Sequence, residues 1–178
     1  MPILKYSAKT SEVIIRLAAD LLRQGGLIVY PTDTVYGIGA DATNKKAVDK
    51  VFALKKRPKG KPLSVMVSDI SMLKKYAKTV RGFKKGRYTF IIAPKKRLPV
   101  SKYDIGFRLP NHWCARIAGE LGRPVVTTSA NISERPIAKT AGEAKKLFGG
   151  KVALYIDGGR LNGKPSKVIV LGSGKRIR

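Results

Sequence analysis

Four short segments of this chain carry side chains suited to gripping a small anion. Pro31-Thr32-Asp33-Thr34-Val35-Tyr36-Gly37 displays hydroxyls and a carboxylate between an apolar run, Leu27 to Tyr30, and a Gly-rich exit, Gly37 to Ala40. Further on, Lys55-Lys56-Arg57-Pro58 and Lys61 supply cations, and Ser129-Ala130-Asn131 offers a hydroxyl and an amide directly behind an apolar run. Arg108 stands alone in the apolar stretch Ile105 to Leu109. Hydroxyls, amides and free backbone N–H groups hold phosphate or carboxylate oxygens without a full charge. A guanidinium forks onto two oxygens while an ammonium acts as a mobile point charge, so a Lys-x-Arg pair suits a polyphosphate that must be both oriented and neutralised. Each segment also has a plainer reading. The Lys55–Arg57 pair falls at a helix end, where the macrodipole favours cations, and Arg108 can cap a carboxylate of the protein or of a ligand.

Other chemistries are excluded by counting. With one histidine, His112, and one cysteine, Cys114, there is no Cys/His zinc site and no HExxH metalloprotease. No G-x-S-x-G elbow accompanies a Ser-His-Asp set. His112 reads as structural and Cys114 as a small core residue. Gly158 to Lys164 has the glycine spacing of a phosphate-binding P-loop, but Pro165 stands where the motif needs Ser or Thr. Lys167 to Val170 then reads as strand where a helix is required, so the segment is a loop.

A length of 178 residues fits a single domain over 1–178, and 43% hydrophobic content matches a folded, soluble chain. No apolar run approaches a membrane span and Met1 to Tyr6 lacks the pattern of a secretory signal. A lone cysteine permits no internal disulfide, which fits the cytoplasm. Lys plus Arg number 37 against 11 Asp plus Glu, a formal net charge of +26. Most of these cations have no acidic partner to find, so nucleic acid, nucleotides or phosphate-bearing surfaces are the candidate partners.

The elements that must position the four segments alternate. Helices are expected from Ser11 as N-cap to Gln24, from Asn44 as N-cap to Lys55 or Lys56, over Ile70 to Ala77, from Asn111 as N-cap to about Leu121, and from Thr140 to Phe148. Strands are expected over Leu27 to Tyr30, Leu63 to Val67, Tyr88 to Ala93, Ile105 to Leu109, Pro124 to Thr128, Ala153 to Ile156 and Val168 to Leu171. That alternation predicts an α/β domain with a mixed sheet.

In order and spacing, Pro31 to Gly37, Lys55-Lys56-Arg57-Pro58 with Pro62-Leu63, Gly86 to Thr89, Arg108 to His112 and Ser129-Ala130-Asn131 resemble the YrdC-like family of threonylcarbamoyl-AMP synthases. The resemblance runs from about Ser11 to Arg178. It implies a twisted mixed sheet with flanking helices around a large positive cavity. It also implies synthesis of threonylcarbamoyl-adenylate and pyrophosphate from L-threonine, bicarbonate and ATP with Mg²⁺, for the threonylcarbamoyl modification of adenosine in tRNA. Carried over by position, Thr34, Arg108 and Ser166 would hold threonine and Lys55, Arg57 and Lys61 the triphosphate, with Lys55 and Arg57 acting in catalysis. Ser129 and Asn131 would fix the nucleotide and Arg178 would close over it. A downstream threonylcarbamoyl transferase complex is the implied consumer.

The chain departs from the pattern at Met66, Arg87, Trp113 and Lys167, which puts the amino-acid substrate in more question than the nucleotide. The alternative is an RNA-binding protein of the same fold whose basic surface takes tRNA or double-stranded RNA. With 7% aromatic residues, stacking on bases is weakly supported.

Overall fold

The computed structural model describes residues 2–171. In chain order it has β1 (Ile3–Lys5), α1 (Ser11–Arg23), β2 (Ile28–Tyr30), β3 (Gly37–Gly39), α2 (Lys45–Leu54), β4 (Val65–Met66), α3 (Ile70–Tyr76) and β5 (Tyr88–Ile92). Then come β6 (Ile105–Arg108), α4 (Ala115–Leu121), β7 (Val125–Val126), β8 (Thr128–Ser129), α5 (Ala141–Phe148), β9 (Leu154–Asp157) and β10 (Lys167–Val170). No described helix is long and apolar enough to cross a membrane.

The expected mixed α/β class holds, with the sheet divided in two. One five-stranded sheet runs β1-β9-β2-β3-β8 and the other β10-β5-β6-β4-β7. Each mixes parallel pairs, such as β2 with β9 and β4 with β6, with antiparallel ones, such as β2 with β3 and β5 with β6. The sheets meet where β7 hands over to β8. Val126 N–H donates to Ala40 O at 2.8 Å, and Thr127 N–H donates to Ser64 O at 2.8 Å. One extended run therefore serves both sheets, and this turns the single strand expected over Pro124 to Thr128 into two.

Local signals explain most helix starts. Asn44 Oδ1 accepts from Ala47 N at 3.1 Å, and Thr140 Oγ1 accepts from Glu143 N at 3.1 Å. Asp69 caps α3 in the same way through Met72 N, 2.8 Å away. Helix α1 buries Ile14, Ile15, Ala18, Ala19 and Leu22 on one stripe.

Two expected caps are not used. Ser11 is the first helical residue, its hydroxyl donating to Ala8 O at 3.0 Å, and Thr10 at the cap makes no side-chain bond into the helix. Asn111 is exposed and α4 begins only at Ala115. The intervening residues form a tighter turn, with Ala115 N–H donating to His112 O and Arg116 N–H to Trp113 O. β1 was not expected. Its three residues are strand only because β9 pairs with them in parallel.

Two glycines show how tightly the chain packs around the 31–36 loop. Gly39 faces Ile28 across β2–β3, and a Cβ there would lie 2.9 Å from the ring of fully buried Tyr30. A Cβ on Gly163 would lie 2.1 Å from Thr34 O, so the 158–165 loop rests directly on the 31–36 loop. Tyr36 joins the same pair of loops, its hydroxyl donating to Gly159 O at 2.7 Å and accepting from Gly158 N at 3.0 Å. Gly163→Ala is expected to lower stability by about 1–3 kcal/mol, as overpacking does, read as a fall in urea midpoint at unchanged m-value. An unchanged midpoint would show that the loop moves aside freely.

Candidate active site

A cavity of about 130 Å³ is lined from both sheets. The first sheet contributes Thr32 and Thr34 from the β2–β3 loop and Ser129 of β8; the second contributes Thr89 of β5 and Arg108 of β6. Arg57, Ser64, Thr127, Thr128 and Ser166 complete its polar wall. Thr34, Arg57 and Ser129, far apart in sequence, thus share one hollow.

The 31–36 loop is held by its own hydroxyls. Thr32 Oγ1 accepts from Thr34 N at 3.1 Å and Val35 N at 3.2 Å and donates to Val35 O at 2.7 Å. With that proton committed, Thr34 Oγ1 is the donor in the 3.0 Å contact between the two threonines. Arg108 donates in turn to Thr34 Oγ1 at 2.8 Å. The guanidinium also pairs with Asp33, the two side chains being 7% and 10% exposed. Of the two partners open to Arg108 in the sequence, the protein's own carboxylate therefore takes one edge of the fork. Asp33 Oδ2 and Arg108 Nε have no hydrogen-bond partner in the structure.

Lys55 is 1% exposed and does not line the cavity. Its ammonium donates to Ser129 O at 2.5 Å, Asn131 O at 2.7 Å and Asn131 Oδ1 at 2.9 Å. All three N–H bonds are used, so the structure gives Lys55 a task other than direct contact with a phosphate: it clamps the 129–131 loop to the end of α2. Asn131 Oδ1 also accepts from Ser129 Oγ at 2.7 Å, and Asn131 Nδ2 donates to Arg135 O at 2.6 Å. Burial, and then the Arg57 guanidinium, bring the Lys55 pKa down to about 7.

The exit from α2 aims Arg57. Lys56 N–H donates to Ala53 O and Arg57 N–H to Phe52 O, a Schellman ending with Lys56 at φ +47, where glycine is usual. Arg57 then lines the cavity, donating to Lys61 O at 3.0 Å and Pro62 O at 2.9 Å. Lys61 points elsewhere and pairs with exposed Glu134 at 2.9 Å. Ser166 Oγ lies 2.8 Å from Thr89 Oγ1, both buried. Arg178 lies outside the described residues.

The lining also includes residues that sequence reasoning did not single out. Thr89 was present only as part of a motif, Ser64 had the signal of a lone hydroxyl in an apolar strand, and Thr127 gave none. The departures fall outside the wall. Met66 is buried beside Cys114, whose thiol donates to its sulfur at 3.7 Å. Arg87 and Lys167 are exposed, and Trp113 stacks on Tyr6 with ring centroids 3.8 Å apart. Cys114 is a core residue whose thiol burial pushes far above its ordinary range. Among the described residues no group of three or more His, Cys, Asp or Glu is placed to hold a metal ion.

Residues 20–178 match the Sua5/YciO/YrdC family model, described as "Telomere recombination". A threonylcarbamoyl-AMP synthase of Pyrococcus abyssi is 33% identical over 183 residues, covering 95% of this chain and 54% of the relative. A threonylcarbamoyl-AMP synthase of Pseudoalteromonas translucida is 33% identical over 187 residues, covering 95% and 99%. Among solved structures, P. abyssi Sua5 complexed with L-threonine superposes with a TM-score of 0.88 at 30% identity, covering 96% of this chain and 54% of that one. The chain belongs to the Sua5/YciO/YrdC family. It spans about half the length of the P. abyssi relative and nearly all of the Pseudoalteromonas one.

Two substitutions test the α2 exit. Lys55→Met removes the ammonium and strands three buried oxygens, and a loss of about 2–4 kcal/mol is expected in denaturant unfolding. Because the folded pKa is depressed, the unfolded chain binds more protons between pH 7 and the free lysine value near 10.4. Wild-type stability relative to Lys55→Met is therefore expected to rise with pH across that window, and a flat difference would show an unshifted ammonium. Lys56→Gly, which relieves the left-handed backbone, is expected to stabilise by about 0.5–1 kcal/mol, measured the same way. A loss of stability on that change would contradict the strain.

Proposed function

We propose that this chain is a threonylcarbamoyl-AMP synthase, forming threonylcarbamoyl-adenylate and pyrophosphate from L-threonine, bicarbonate and ATP. The observation that carries the reading is the convergence of Thr34, Arg57, Arg108, Ser129 and Ser166 on one polar cavity. The P. abyssi and Pseudoalteromonas relatives bearing that activity in their names lend it support. That the latter is matched over 99% of its length favours one domain, residues 1–178, as the working unit.

In this reading Arg108, Thr34 and Ser166 receive the amino acid. The Asp33 pair leaves Arg108 oriented and partly neutralised, so threonine's carboxylate meets a fixed fork rather than a searching cation. The amine nitrogen attacks the bicarbonate carbon, water leaves and an N–C bond forms; proximity is the main requirement of that step. A carbamate oxygen then attacks the α-phosphorus, forming an O–P bond as the bond to the β-phosphate breaks and pyrophosphate leaves. The growing charge on the phosphate oxygens calls for fixed donors. Arg57 and Ser129 supply them, while Lys55 and Asn131 hold Ser129 in place.

Among the described residues the carboxylate held against the cavity-lining Arg108 is that of Asp33, already paired there, so Mg²⁺ would be held chiefly by the triphosphate and would shield its charge. The adenylate would pass to a transferase acting on tRNA, and a cytoplasmic location goes with that reading.

Pyrophosphate release should require threonine, bicarbonate and ATP together, and Arg57→Ala should lower kcat/KM by about 10²-fold or more. Release that ignores threonine at every metal concentration would overturn the assignment.

A further inference from the structure

Val65 of β4 pairs with Phe107 of β6 and with Val126 of β7, and Phe107 pairs in turn with Phe90 of β5. All four are buried apolar residues. Side chains alternate along a strand, so the neighbours Thr127, Ser64, Gly106 and Thr89 stand together on the other face of the sheet. Thr127, Ser64 and Thr89 line the cavity from that face. Gly106 lets the row close up, because a Cβ there would lie 2.7 Å from Ser64 Oγ and 2.9 Å from Thr89 Cγ2.

Ser64 holds the uncommitted hydroxyl of the row. Thr89 Oγ1 is bonded to Ser166 Oγ at 2.8 Å. Ser64 is half-buried, and its hydroxyl makes no hydrogen bond among the described residues. Its place along the cavity is fixed from both ends. On one side its neighbour Gly106 lies two residues before Arg108 in β6. On the other, Arg57 Nη2 donates at 2.9 Å to Pro62 O, two residues before Ser64. Thr127 N–H donates to Ser64 O at 2.8 Å, two residues before Ser129. Ser64 therefore stands between the guanidinium that would receive the amino acid and the donors that would receive the nucleotide.

We propose that Ser64 holds the bicarbonate, with Thr127 beside it. The inference rests on the proposed synthase activity and supplies the subsite for its third substrate. The bicarbonate carbon must bond to the amine nitrogen, and an oxygen of the product must then bond to the α-phosphorus, so the one-carbon acid has to lie between the two larger substrates. Bicarbonate carries both an O–H donor and acceptor oxygens, and a serine hydroxyl donates and accepts at once. As nitrogen bonds to carbon, hydroxide leaves the carbon and takes the proton given up by the amine, departing as water. The carbamate that remains must still carry an oxygen onto phosphorus. A neutral hydroxyl holds it less firmly than an ion pair does and leaves it free to make that move.

The test is steady-state pyrophosphate release in buffer stripped of carbon dioxide, with bicarbonate, threonine and ATP varied in turn. Ser64→Ala should raise the KM for bicarbonate about tenfold or more and leave those for threonine and ATP within about twofold. Thr127→Val, which keeps the shape of the wall, should move the bicarbonate KM in the same direction. A bicarbonate KM unchanged in both variants would overturn the inference and leave the synthase activity standing. A rise in threonine KM alone would place the amino acid's own hydroxyl at Ser64, and that also overturns it. Wild-type protein that releases no pyrophosphate with all three substrates present would overturn both readings together.

Discussion

A buried ammonium group organises the candidate site. Lys55 reaches from the C-cap of α2 into the 129–131 loop and gives each of its three protons to an oxygen there. Removing a charge from water is expensive, and the arrangement persists only because the ammonium finds a full set of acceptors. Those acceptors belong to the loop that carries Ser129 into the cavity. Two residues after Lys55, the Schellman exit of α2 turns Arg57 into the same cavity. One side chain thus sets the distance between the hydroxyl and the guanidinium that would share a nucleotide.

The opposite wall obeys a second constraint. Arg108 sits in β6 of one sheet, while Asp33 and Thr34 belong to the loop leaving β2 of the other. Their contact spans the gap between the sheets, and the 158–165 loop packs against Thr34 at Gly163 and brings Pro165 to the cavity wall. The cavity is therefore bounded by paired charges and hydroxyl chains and not by apolar packing alone. A polar ligand entering it meets groups whose directions are already fixed, which lowers the ordering cost of binding.

Much of this was legible where the determining forces are local. Asn44 caps the helix it was expected to cap and Thr140 stands at the start of the helix it was expected to open, because an N-cap is decided by a side chain and an N–H three residues on. The order of strands and helices followed from apolar periodicity, and the family from motifs whose letters are short and contiguous. What depended on distant partners was not legible. The change of sheet at Thr127 is set by Ala40 and Ser64, and β1 exists through β9. Asn111 carried a good cap signal that the His112–Cys114 turn overrode. Lys55 looked like a phosphate ligand because a sequence displays charge but not burial, and Arg108 could not reveal that its carboxylate would be Asp33, 75 residues away.

The most direct measurement is a crystal structure of the protein grown with L-threonine and a non-hydrolysable ATP analogue. The account predicts amino-acid density against Thr34 and Arg108 and nucleotide density against Arg57 and Ser129, both inside the one cavity, with Lys55 still bound to Ser129 O and Asn131. Nucleotide density on another face of the molecule, or a cavity that holds neither ligand while the protein turns over, would contradict it.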